Sequence, residues 1–138
     1  MKRKYFLVVL FLLLAIFLIG CSGGIVTPAT DEAKIKSVIS EYFLAINDQN
    51  WSKAKNCCVY GSDRYYATCV LEQYVSSLAQ YGVTITCIFS IVDVSIYGDN
   101  AQAYINLTLY VSFGGVSDSE TGSGYYYLQK IGNSWKLY

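Results

Sequence analysis

The sequence contains no histidine, one proline, one methionine and no cysteine pair in C-x-x-C spacing. Without histidine, neither a Ser-His-Asp nor a Cys-His nucleophile can be assembled. A zinc site would have to rest on cysteine and carboxylate alone, without the paired spacing that such sites use. No acidic residue follows Glu120. Asp118-Ser119-Glu120-Thr121-Gly122 therefore has the start of a calcium loop but not its closing acid, and a solvated hairpin loop is the expectation there. No metal and no cofactor are expected. Charged residues are only 14% of the chain, ten basic against ten acidic. Past residue 4 no basic cluster of the kind nucleic acid requires occurs, so nucleic acid is not an expected partner.

The N-terminus is where the informative residues lie. Lys2, Arg3 and Lys4 precede 14 consecutive apolar residues, Phe6 to Ile19. That run is short for a membrane-spanning helix, which needs roughly 20 residues, but it suits the core of a signal peptide. It closes on Leu18-Ile19-Gly20-Cys21. This resembles a bacterial lipoprotein signal, which implies cleavage after residue 20, lipidation of Cys21 and an extracytoplasmic domain anchored to the cell membrane or outer membrane. Without residues 1–20 the chain keeps seven basic and ten acidic residues, a net −3. An acidic chain gains nothing from anionic lipid, so acyl chains on Cys21 have to supply the anchor. Residues 21–30 read as the lipidated cysteine and a flexible tether. Nine of them, Ser22 to Thr30, reach about 30 Å at full extension.

Residues 31–138 are enough for one small domain. Ile35, Val38, Ile39, Tyr42, Phe43 and Ile46 have the 3-1 spacing of a helix with one buried face, with Thr30 or Asp31 as its cap. A short second helix is expected from Trp51 to Cys58, with Trp51, Ala54 and Cys58 on one side. A third is expected to about Gln80, its core stripe being Ala67, Val70, Leu71, Tyr74, Val75 and Leu78. From Val83 the period becomes two. Val83, Ile85, Cys87 and Phe89 share one parity, whereas Val92, Val94 and Ile96 have the other. A bulge near Ser90-Ile91 reconciles them and puts the second set in the core. After the turn Tyr97-Gly98-Asp99-Asn100, the residues Ala101, Ala103, Ile105, Leu107, Leu109, Val111 and Phe113 form one apolar face. Gly114 to Gly124 reads as a polar loop, and a last hairpin turns at Gly132-Asn133-Ser134. The fold class is α+β: three N-terminal helices packed on a curved, antiparallel, four-stranded meander sheet.

This order resembles the nuclear transport factor 2-like superfamily, the cystatin-like cone fold. The residues that carry the resemblance are the first helix running into Ala45-Ile46-Asn47-Asp48-Gln49-Asn50-Trp51, the turn and strand Tyr97-Gly98-Asp99-Asn100-Ala101, and the ending Leu128-Gln129-Lys130-Ile131-Gly132-Asn133-Ser134-Trp135-Lys136-Leu137. The resemblance implies a pocket between sheet and helices, and a superfamily holding isomerases, dehydratases, cyclases and non-enzymatic binding modules.

The leading expectation is a lipid-anchored binding or protein-interaction module of the cell envelope, its partner an envelope protein or a small apolar ligand. A second is an isomerase or dehydratase using a pocket carboxylate. Asp93 is the only acid within a predicted strand; with the bulge it turns outward and is merely solvated. A third is a purely structural envelope component. Tyr42, Trp51 and Tyr74 lie on inward stripes and are the candidate pocket residues. Tyr104, Tyr110 and Tyr126 are placed on the uncovered sheet face, the surface for a possible homodimer. Lys53 and Lys55 read as a solvated face. Cys69 falls off the third helix's stripe and Cys57 off the second's, so a Cys57–Cys69 disulfide is expected, with Cys58 and Cys87 as buried thiols or a second bridge.

Overall fold

The structure is a computed structural model that describes residues 29–138. The expected signal peptide, Cys21 and most of the expected tether lie outside the described residues. Three helices, α1 (Asp31–Asn47), α2 (Trp51–Asn56) and α3 (Asp63–Ala79), precede four strands. These are β1 (Thr84–Tyr97), β2 (Asn100–Phe113), β3 (Val116–Ile131) and β4 (Ser134–Leu137), in one antiparallel meander ordered β1-β2-β3-β4. Among the described residues no helix is long and apolar enough to cross a membrane.

Each helix starts on a side-chain cap that satisfies an otherwise orphaned backbone N–H. Thr30 Oγ1 accepts from the Ala33 N–H at 3.2 Å, Asn50 Oδ1 from Lys53 at 3.1 Å and Ser62 Oγ from Tyr65 at 3.2 Å. Asp31 and Glu32 add negative charge where the α1 dipole is positive. α1 buries Ile35, Ile39, Tyr42, Phe43 and Ile46. Its last residue, Asn47, clamps an edge of the sheet. The Asn47 amide donates to the Cys87 carbonyl at 2.8 Å and accepts the Cys87 N–H at 2.7 Å. Both β1 groups point away from β2, so the side chain replaces a missing strand neighbour.

The three hairpins turn on two residues each. Tyr97 pairs with Asn100, Phe113 with Val116 and Ile131 with Ser134. Gly114 and Gly115 both have positive φ, 58° and 82°. Two such residues in a row suit the tight primed turns of hairpins. The segment expected as a polar loop, Gly114 to Gly124, is therefore mostly strand: the Gly-Gly turn lets β3 pair along the full length of β2. Polarity misled there because every residue of that stretch except Gly124 is exposed, on both faces of the strand.

The β1 bulge falls between Ile91 and Asp93, with Val92 as the extra residue. Val94 then faces Ala103, as expected, but Val92 itself is exposed rather than buried. Ala101 and Ala103 are small residues buried in the same core as the inward face of α1. Leu128, Trp135 and Leu137 fill the space beside them.

The α3 face differs from its expected stripe. Thr68 is fully buried and Val75 nearly so, whereas Ala67, Val70 and Tyr74 are exposed. The reason is polar. The buried Tyr42 hydroxyl needs a partner and finds Thr68 Oγ1 at 3.0 Å, while the Thr68 hydroxyl donates to the Arg64 carbonyl at 2.8 Å. The threonine is drawn inward and the helix turns with it.

Candidate functional site

The sheet's concave face is only half covered. Phe43 of α1 stacks on Phe89 of β1 with centroids 4.7 Å apart and meets Tyr126 of β3 at 5.5 Å. Past this aromatic row, β2 and β3 continue with Leu107, Leu109, Val111 and Phe113 on the same face as the core residue Ile105. The register sets these beside β3 partners: Ile105 faces Gly124, Leu107 faces Gly122, Leu109 faces Glu120 and Val111 faces Asp118.

Two adjoining cavities follow. One, about 350 Å³, is lined by Ile105, Leu107, Leu109, Glu120 and Tyr126 together with the backbone around Gly122 and Gly124. The other, about 390 Å³, continues over Leu109, Val111, Phe113 and Val116 past Asp118 and Glu120. The glycines keep the groove open. A Cβ added at Gly122 or Gly124 would meet nothing within 4 Å. Neither has the positive φ that only glycine tolerates, so the turn geometry does not require them. Glycine inside a strand weakens it and marks a place where another group approaches the backbone. At the inner end the Arg64 guanidinium lies 4.2 Å from the Tyr126 ring centroid. Burial raises the Tyr126 phenol above its ordinary range, against the opposing pull of Arg64.

The residues singled out from sequence lie elsewhere. Tyr42 and Trp51 are buried core residues and do not line the groove. Tyr74 is 59% exposed on the outer side of α3. Asp93 is on the convex face opposite Tyr104, where its carboxylate accepts from Ser95 Oγ at 3.3 Å. Tyr126, expected outside, faces inward opposite Ala103; Tyr125 and Tyr127 take the outer positions. The convex face carries hydroxyl ladders, Tyr104 to Ser123 at 2.7 Å, Thr108 to Thr121 at 2.9 Å and Ser112 to Ser117 at 2.7 Å. The residues that form the groove wall, Glu120, Gly122 and Gly124, were hidden inside the supposed loop. The one periodic signal there is a hydroxyl residue at every second position, Ser117, Ser119, Thr121 and Ser123, with no apolar residue between them from Asp118 to Gly124.

The cysteines also correct the expectation. Cys57, Cys58, Cys69 and Cys87 are free thiols, so neither the Cys57–Cys69 bridge nor a Cys58–Cys87 bridge is formed. Cys57 is the cap that ends α2, and its carbonyl accepts the Leu137 N–H at 2.9 Å. That bond and the Val59 to Leu137 bond at 2.7 Å draw the segment against β4 and bury Cys57 beside Glu41, Lys53 and Lys136. Cys58, not Cys57, approaches α3, with Sγ 3.8 Å from Thr68 Oγ1. Burial pushes the Cys57 thiol up to about 11 and raises Cys58 and Cys87 as well, which favours the protonated thiol in all three.

A further cavity, about 520 Å³, opens between α1, α2 and β4 and carries Lys34, Lys53 and Lys136. Each ammonium already has a partner: Asp31 at 3.8 Å, Glu41 at 3.3 Å and the Asn56 carbonyl at 2.8 Å, respectively. Lys55 pairs with Glu72 at 2.9 Å. Among the described residues no three potential metal ligands cluster.

No protein-family model matches the sequence, and no curated protein matches it either. The backbone is similar to solved structures. One is an NTF2-like protein with a cystatin-like fold from Novosphingobium aromaticivorans, with TM-score 0.64 and 15% identity over 78% of this chain and 77% of that one. Another is a candidate dehydratase of the NTF2-like family from Streptomyces avermitilis, with TM-score 0.60 and 16% identity over 80% of this chain and 93% of that one. A third is the intermembrane space region of the chloroplast protein ARC6, with TM-score 0.52 and 16% identity over 80% and 94%. At these identities the similarity is one of fold.

Proposed function

We propose that this chain, which has the nuclear transport factor 2-like cone fold, is a lipid-anchored extracytoplasmic module that binds a small apolar ligand in the groove of β2 and β3. One observation carries the binding: an apolar floor of Leu107, Leu109 and Val111 held open by Gly122 and Gly124. Its combined size falls in the range of small-molecule sites, roughly 300–1,000 Å³. The anchor rests on Leu18-Ile19-Gly20-Cys21 and the apolar run before it. A catalytic role through Asp93 has no support, because that carboxylate lies on the opposite face of the sheet.

The groove test is Gly122→Leu, whose side chain enters the open space; the variant folds normally and loses ligand-induced shifts at the Leu107 and Leu109 methyl groups. Unchanged binding would sink the groove. The anchor test is the mass of the processed N-terminus and its partition into detergent phase. A Cys21→Ala chain that is still cleaved and still fractionates with membranes would refute the lipid anchor.

A further inference from the structure

We infer that the groove selects an apolar ligand carrying a cationic group, with Glu120 and Asp118 as its charge partners. This rests on the groove reading above and adds the ligand's chemical class. The register places Glu120 beside Leu109 and Asp118 beside Val111, so both project on the concave face that holds the apolar floor. Two residues apart on one strand, they stand about 7 Å from each other along the groove. A single ammonium or guanidinium group seated over Leu109 lies within reach of both.

The charges of the described residues leave these two carboxylates without counter-ions. Lys34, Lys36, Lys53, Lys55 and Lys130 pair with Asp31, Glu32, Glu41 and Glu72. Lys136 donates to the Asn56 carbonyl. Arg64 covers the Tyr126 ring, six residues along β3 from Glu120. No cation therefore pairs with Asp118 or Glu120 among the described residues, and the groove wall carries two negative charges beside a hydrophobic floor. Both carboxylates are exposed, and Asp118 accepts the Ser119 N–H at 2.8 Å, so a neutral ligand leaves them to water, an anionic one is repelled, and a cationic one complements both surfaces.

A competing account exists for inward charges at this place. β4 pairs only with Leu128–Ile131, so β3 from Val116 to Gly124 is a free edge. Charges on such an edge discourage strand addition by another chain. The two accounts differ in what they affect: one sets ligand charge preference, the other sets self-association.

The experiment uses three probes with one apolar body: 4-phenylbutylamine, 4-phenylbutanol and 4-phenylbutyrate. Binding to the full chain in lipid nanodiscs is read at the Leu107 and Leu109 methyl resonances, which report the groove and not the bilayer. The amine is expected to bind about fivefold tighter than the alcohol, the scale of two exposed ion pairs, and the butyrate weaker still. Raising the salt should shrink the difference. The double variant Asp118→Asn, Glu120→Gln should bring the amine to the alcohol's affinity and leave the alcohol unchanged. Equal affinity for the three probes in the wild-type chain overturns the charge preference and leaves the groove standing. No methyl shift with any probe overturns both. A double variant that self-associates while still preferring the amine assigns the carboxylates to edge protection and also overturns the inference.

Discussion

The two halves of the β2–β3 hairpin follow the same alternation and meet opposite fates. Near the β1 turn, Ala101, Ala103 and Ile105 are buried under α1 beside Leu128 of β3. At the far end, Leu107, Leu109 and Val111 are only partly covered and Phe113 is 60% exposed. The β3 residues facing them change character accordingly, from Tyr126 and Leu128 to Gly122, Glu120 and Asp118. A strand pattern specifies a face; whether that face becomes core or groove depends on where the helices stop. Here α1 ends with Asn47 clamped on Cys87 of β1, which leaves the β2–β3 side beyond the aromatic row open.

The contrast is most easily broken by truncating one leucine in each half. Leu128→Ala, at a fully buried site, is expected to cost about 2–5 kcal/mol by urea denaturation. Leu109→Ala, in the groove, should cost about 1 kcal/mol or less. Equal losses would mean that the distal half is packed as core. Filling the groove should give the converse result. Gly122→Leu should change stability by no more than about 1 kcal/mol, while abolishing probe binding. A large loss of stability would show that the glycine supports the fold and does not hold a site open.

The thiols sharpen the same distinction from the covered side. Cys57 has its proton held to about pH 11, against an ordinary value of 9.0. A raised value in the folded state means that the folded chain holds more protons than the unfolded one between these two limits. Its contribution is therefore complete below pH 9 and is lost as pH rises through 11. The thermal midpoint should fall across that window, and Cys57→Ala should make the fall shallower. With a thiol reagent at pH 8, Cys69, the only one of the four not fully buried, should react first in the folded chain. Detection of a Cys57–Cys69 linkage in the native protein by non-reducing mass spectrometry would overturn the free-thiol arrangement.

The smallest effect is expected at the start of α1. The hydrogen bond from Lys130, at 2.9 Å, holds the Asp31 carboxyl below its ordinary 3.8. A lowered value contributes stability above that pH and loses it as pH falls through it, so Asp31→Asn should flatten the acid limb of the stability profile and do little at neutral pH. A large loss at pH 7 would mean that this exposed pair matters more than its surroundings allow.

The helix of Ile35 to Ile46 was legible because its stripe admits one reading and Thr30 caps it. The bulge was legible because two parities cannot share a face. The α3 orientation was not. Its apolar residues outline a plausible stripe, but the side that packs is chosen by Thr68 meeting the Tyr42 hydroxyl 26 residues away. The disulfide expectation fell with it, since it was reckoned from the wrong stripe. The groove was missed for a related reason: Asp118, Glu120, Gly122 and Gly124 look like loop residues until Gly114-Gly115 turns them back against β2.

By itself the sequence determined the order of elements, the apolar face of β2 and of β1 before its bulge, the outward turn of Asp93 through the bulge, and the absence of histidine chemistry. These follow from local rules of period, capping and composition, which act over a few residues. The tertiary structure alone decided which part of the concave face is covered, which carboxylates stand beside it and which thiols are buried. Those outcomes depend on contacts between residues far apart in the chain, and no period or local propensity encodes where a helix laid across a sheet will end.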